Sequence, residues 1–116
     1  MKTGEAIKYL REKRNLTQKE LANLLGITLL TMQEIEEDIV TPSEDSIASI
    51  CKILDMPPLA FQFITLQTED IVERKRDLFN QIQPAVMSLI NEIWLEKKTG
   101  VELIAEERQE IIEKTQ

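Results

Sequence analysis

Apolar residues recur along this chain at spacings of three and four, the period that lays one apolar stripe along an α-helix. Glycine and proline are few, and they fall between the periodic stretches. The pattern predicts helices throughout. A first helix spans Gly4–Arg14 with Ile7 and Leu10 inward. A second opens at Thr17, which stands three residues before Glu20. That is the spacing of a capping box: the hydroxyl accepts from one backbone N–H at the helix start and the carboxylate from another. This helix turns Leu21, Leu24 and Leu25 inward and stops at Gly26, a residue able to take the left-handed conformation that closes a helix. A third runs from Thr28 to about Glu37. A fourth follows Pro42–Ser43, with Ile47, Ile50, Cys51 and Leu54 as its stripe, and a short fifth lies in PPLAFQFI.

The polar stretch TLQT at 65–68 is read as a link, dividing the chain into residues 1–66 and 67–116. Beyond it, Thr68 is placed as the N-cap of a helix over Glu69–Ile82. Pro84 either starts a new helix or kinks a longer one. Gly100 breaks the pattern, and VELIAEERQEIIEKT makes a last helix. The expected fold class is all-α.

Composition narrows the chemistry. The 116 residues suit one small domain with an appendage. Fourteen basic against twenty-one acidic side chains leave a net charge of −7, which disfavours polyanionic partners and anionic membranes. A single cysteine excludes an intrachain disulfide, and without histidine a zinc or haem site lacks a ligand set, so no metal or cofactor is expected. Cys51 lies on an apolar stripe and reads as a buried, inert thiol. No serine or cysteine has a histidine to activate it, and no glycine-rich phosphate loop is present. Carboxylate pairs such as Glu106–Glu107 sit on polar helical faces, so no enzymatic activity is expected. No stretch approaches the ~18 apolar residues that a membrane span requires, and the first residues carry no signal-like apolar run. The expectation is a cytoplasmic protein without a membrane partner.

The second and third predicted helices carry a pattern that can be counted from Gln18. Leu21, Ala22, Gly26, Ile27, Met32, Ile35 and Glu36 follow at fixed offsets, and each suits two helices that cross steeply over a tight turn. Ala22 is small where the helices approach, Gly26 makes the turn, and Leu21, Ile27, Met32 and Ile35 fill the shared core. In this pattern residues 4–64 resemble the Cro and lambdoid-repressor (XRE-type) helix-turn-helix family. Arg11 and Glu36 match positions that imply that family's ion pair between the first and third helices. Pro42 and SIASICKILDM match the segment that closes its domain. The resemblance implies a five-helix lambda-repressor-like DNA-binding domain, followed here by a C-terminal helical appendage. An unrelated small bundle could place alanine and glycine at a turn, but it would not require Gln18, Arg11, Glu36 and Pro42 together.

Carried over residue by residue, the resemblance implies DNA contacts from Thr17, Gln18, Lys19, Thr28, Leu29, Leu30, Thr31, Gln33 and Glu34. At ~100° per residue, Met32, Ile35 and Glu36 fall on one side of the third helix, and Leu29, Leu30, Gln33, Glu34 and Glu37 on the other. The groove-facing set departs from the family's amide-, hydroxyl- or base-rich pattern through two leucines and a glutamate. Glu36 is expected to pair inward with Arg11, and Asp38 to end the helix in a left-handed turn. Glu34 and Glu37 remain as the anomaly. Lys13, Arg14 and Lys19 supply positive charge nearby. Leucines can pack on thymine methyls, and Glu34 can accept from cytosine N4. Residues 1–57 hold seven basic and ten acidic side chains, and residues 58–116 seven and eleven, so neither half has a basic footprint. The expected partner is double-stranded DNA, bound weakly or selectively.

Residues 67–116 resemble no family. Ala85, Val86, Leu89, Ile90, Ile93 and Trp94 form one broad apolar face, with Ile71, Leu78 and Ile82 before it and Leu103, Ile104, Ile111 and Ile112 after it. A thin core of this kind favours burial against a partner. The face suits either an intrachain helical hairpin on the repressor-like domain or a dimerisation element; a homodimer is expected, with Leu89, Ile90, Ile93 and Trp94 at its interface. No cluster of polar anchors marks a small-molecule effector. Two functions follow from the residues: a sequence-specific transcriptional regulator acting as a homodimer, or a repressor-fold module that has lost DNA recognition and binds proteins.

Overall fold

In the computed structural model, which describes residues 1–95, the chain forms six α-helices and no strand among those residues. They are α1 (Thr3–Lys13), α2 (Gln18–Leu25), α3 (Leu29–Glu36), α4 (Glu44–Ile53), α5 (Pro58–Thr65) and α6 (Arg76–Ile90). Two single 3-10 turns, Thr68–Asp70 and Glu73–Lys75, join α5 to α6, and a π-helical turn, Asn91–Leu95, continues α6. The expected last helix after Gly100 lies outside the described residues.

Local chemistry sets the helix limits. Thr17 Oγ1 accepts from Glu20 N at 3.0 Å and Glu20 Oε1 from Thr17 N at 3.1 Å, closing the capping box of α2. Thr28 and Ser43 cap α3 and α4 in the same way, each hydroxyl accepting from the backbone N–H three residues on. Gly26 ends α2 at φ 72°. Asn15, Asp38 and Asp55 follow α1, α3 and α4 at φ 58°, 59° and 52°. Short polar side chains tolerate that left-handed turn better than other non-glycine residues.

The core collects Ile7 and Leu10 from α1, Leu21 and Ala22 from α2, Met32 and Ile35 from α3, Ile50 and Cys51 from α4, and Phe61 and Ile64 from α5. Leu24 departs from its expected inward position and is exposed. The inward direction of α2 is set by Leu21, Ala22 and Leu25, and at ~100° per residue Leu24 points roughly 105° away from it. Cys51 is buried, and burial pushes its thiol pKa up. Its reaction with a thiol-specific disulfide reagent at neutral pH is therefore expected to be slow in the native protein and fast in urea. Rapid native labelling would contradict the closed core.

The helix expected over Glu69–Ile82 is broken. Asp70 Oδ2 accepts from Gln67 N at 2.8 Å, a local bond that competes with helical pairing. Ile71 and Val72 are extended, and Arg76 Nε donates to the carbonyl of Ile71 at 3.0 Å. The helix proper starts only at Arg76 and runs through Pro84 without ending there.

The core continues past the 65–68 link. Ile90 and Leu95 are both buried within it. Phe63 of α5 and Phe79 of α6 lie with ring centroids 6.2 Å apart. Tyr9 of α1 donates its hydroxyl to Asn91 Oδ1 at 2.5 Å. The end of α6 is thus held against the first five helices.

Candidate nucleic-acid interface

The turn between α2 and α3 is fixed from beneath by three side chains. Arg11 donates from Nε to Glu36 Oε2 at 2.7 Å and from Nη2 to Glu36 Oε1 at 3.0 Å, a bidentate pair. Its Nη1 donates to the carbonyl of Leu16 at 2.8 Å, at the entrance to α2. Gln18 Nε2 adds a third bond to the same carboxylate, reaching Glu36 Oε1 at 3.1 Å. Arg11 and Glu36 are both nearly inaccessible to solvent. The hydrogen bond to Glu36 is the main cause raising the guanidinium pKa, against the opposing effect of burial. This network ties α1, α2 and α3 into one unit. It also draws the amide of Gln18 inward, toward Glu36.

On the opposite side of α3, Thr28, Leu29 and Leu30 are exposed, and Thr31, Gln33 and Glu34 are half-buried. Thr17 and Lys19 of the α2 entrance are exposed. The hydroxyls of Thr28 and Thr31 lie 2.8 Å apart and share a hydrogen bond. The outward surface of α3 therefore starts with two threonines and two leucines. It ends at Glu34 and Glu37, the latter exposed.

The four carboxylates at the end of the motif separate by role. Glu36 belongs to the ion pair. Asp38 accepts from the backbone N–H of Gly4 at 2.8 Å, so a residue 34 positions away satisfies a first-turn donor of α1. The formal N-cap of α1, Lys2, provides no side-chain bond of its own. A Cβ added to Gly4 would meet the carbonyl oxygens of Ile35 and Glu36, the latter at 2.7 Å. Glycine is thus required where the start of α1 meets the end of α3. Only Glu34 and Glu37 are left without such a structural task. The remote capping by Asp38 had no signal in local spacing.

Two of the three cations expected near this face have intramolecular partners. Arg14 donates to the carbonyls of Leu54 and Asp55 at 2.7 and 3.1 Å, closing the C-terminal end of α4. Lys13 Nζ lies 5.5 Å from the ring centroid of Tyr9. Among the residues expected at a dimer interface, Leu89 and Ile93 are exposed and Trp94 is half-buried, whereas Ile90 is buried in the chain's own core.

No group of three or more metal-ligating side chains comes together among the described residues. No single helix there is long and apolar enough to cross a membrane. A search of curated proteins and a search of solved structures each return no match. A scan against family models matches residues 7–61 to the helix-turn-helix family. The matched segment runs from the middle of α1 to the middle of α5 and contains the whole of the α2–turn–α3 unit. With that match and the Arg11–Glu36–Gln18 network beneath its turn, residues 7–61 are a helix-turn-helix domain of the XRE type, the all-α lambda-repressor-like fold of DNA-binding regulators.

Proposed function

We propose that this protein is a sequence-specific DNA-binding transcriptional regulator that acts as a homodimer. The observation that carries the reading is the outward face of α3. Thr28, Leu29 and Leu30 are exposed at its first turn while the opposite face is locked to α1 and α2. In this reading α3 lies in the major groove. Leu29 and Leu30 contact thymine methyls, Glu34 accepts from cytosine N4, and Thr31 and Gln33 bond to base edges or phosphates. Thr17, Lys19 and Thr28 hold the phosphate backbone, with the α2 and α3 N-termini directed toward it. Gln18 acts mainly through Glu36, by orienting the unit. Two copies are needed to read half-sites about one helical turn, ~34 Å, apart.

Binding is modest in affinity and shallow in salt dependence, because few cations are available to release counterions from the duplex. Selection from a random duplex library at low and moderate salt tests the reading, and enrichment of a two-fold symmetric sequence is the expected result. Replacing Glu34 and Glu37 together with glutamine is expected to strengthen non-specific binding by about two- to fivefold, since each screened carboxylate–phosphate repulsion amounts to a few tenths of a kcal/mol. Unchanged or weaker binding of that variant in a mobility-shift titration means that this face does not meet the duplex.

A second reading has its own observation. Leu29 and Leu30 are exposed on the helix that leads to Glu34 and Glu37, and Leu24 of α2 is exposed as well, an apolar and acidic composition suited to a protein partner. Absence of any enriched duplex at low salt would favour it.

A further inference from the structure

The exposed side of α6 carries an apolar seam that the helix-turn-helix domain does not use. Leu78, Ile82, Leu89 and Ile93 are 56, 47, 53 and 56% exposed, and Ala85 between them is exposed as well. At ~100° per residue, Leu78, Ile82, Ala85 and Leu89 fall within about 60° of one another, the four-three-four spacing of a coiled-coil seam. Ile93 would drift out of line on a regular α-helix. The π-helical turn at Asn91–Leu95 takes about one more residue per turn and keeps it in place. The seam therefore runs the whole length of α6.

Charge is missing from the same helix. From Leu78 to Asn91, fourteen consecutive residues contain no Asp, Glu, Lys or Arg, in a chain that is 30% charged. At a two-fold interface each residue lies against the same patch of its copy, so a charge near the axis meets its like. In a chain with net charge −7, a charge-free surface is the one on which self-association meets least repulsion. Before this stretch, Glu73–Asp77 carries three basic and two acidic side chains, with Asp77 next to it, and Glu92 follows it.

One end of the seam opens into an apolar groove of about 760 Å³ between α5 and α6. Leu59, Phe63 and Leu66 form one wall, and Leu89, Ile93 and Trp94 the other. Leu59 is 78% exposed.

We infer that two copies of this chain pair through antiparallel α6 helices, with the two-fold axis beside Ala85 and Leu78 of each copy seated in the α5–α6 groove of the other. The inference rests on the homodimer reading above and specifies its register. Ala85 faces its own copy, where its small side chain lets the helices approach. Ile82 faces Leu89, and Leu78 faces Ile93. Antiparallel pairing seats an apolar side chain in each groove. A parallel pair would leave both grooves open.

Cysteine substitution in the full chain tests the register, with light scattering to measure mass. The substituted positions are exposed, and Cys51 is buried. Wild type is expected at twice the monomer mass. Under mild oxidation Ala85→Cys should form a covalent dimer, because a disulfide needs Cα atoms about 4.4–6.8 Å apart. Leu78→Cys alone should not, its two copies being separated by about 20 Å along the helices. Leu78→Cys combined with Ile93→Cys should cross-link. A dimer in which Leu78→Cys cross-links to itself, or in which Ala85→Cys does not, overturns the register and leaves the homodimer standing. A full chain of monomer mass, as when residues 96–116 of the same chain cover the seam, overturns both.

Discussion

Glu36→Ala is expected to destabilise the protein by about 3–5 kcal/mol, the usual effect of removing one partner from a buried ion pair. The Glu36 side chain is 2% exposed and that of Arg11 9%, so bulk water does not solvate the guanidinium once the carboxylate is gone. Two Arg11 donors and the Gln18 amide lose their acceptor at once. The Arg11 bond to the Leu16 carbonyl remains, but it satisfies only one arm of the guanidinium. Urea unfolding followed by circular dichroism gives the measurement. The comparison that isolates the cause is the double variant Arg11→Met with Glu36→Leu. An apolar pair of similar volume leaves no charge stranded and is expected to recover most of the loss. If the double variant is as unstable as Glu36→Ala, the cost lies in shape rather than in the orphaned charge.

Gly4→Ala is expected to cost about 2–4 kcal/mol, although alanine is ordinarily the better helix former. Its Cβ would meet two backbone carbonyls at the end of α3 and the carboxyl carbon of Asp38 at 2.9 Å. Carbonyl oxygens cannot rotate aside, so α1 and α3 must separate, and the Asp38 bond to Gly4 N–H is then stretched. Gly26→Ala makes the contrast. Nothing lies within 4 Å of a Cβ there, and the expected loss of about 1–2 kcal/mol comes only from holding φ at +72°. The same denaturation measurement ranks them. A Gly4→Ala protein more stable than Gly26→Ala would show that the α1–α3 approach has slack. Because α3 presents the proposed DNA face, Gly4→Ala should also weaken duplex binding by more than its effect on folding explains.

The helix-turn-helix unit was legible because its determinants are close in sequence. The Thr17–Glu20 box, the left-handed stop at Gly26 and the caps at Thr28 and Ser43 act within three or four residues, and any chain with those residues in that order meets the same local physics. The inward set of α3 and its pairing with Arg11 followed from helical periodicity joined to the family pattern. Periodicity erred where the apolar residues outnumber the inward positions. Leu24 lies on the edge of a stripe whose centre only the neighbouring helices define. In the second half it erred where a side chain competed with the backbone, as Asp70 does at Gln67 N.

By itself, then, the sequence determined five helical segments in the first sixty-six residues, the positions of most of their ends, and an outward α3 surface poor in cations. Tertiary structure decided which polar groups have structural tasks. Asp38 caps a helix 34 residues away, Arg14 closes α4, Gln18 turns toward Glu36, and Ile90 and Leu95 join the core while Leu89 and Ile93 stay outside. Those assignments depend on where separate helices meet. The meeting is set by the sum of all contacts rather than by any spacing along the chain, so a local pattern carries no record of it.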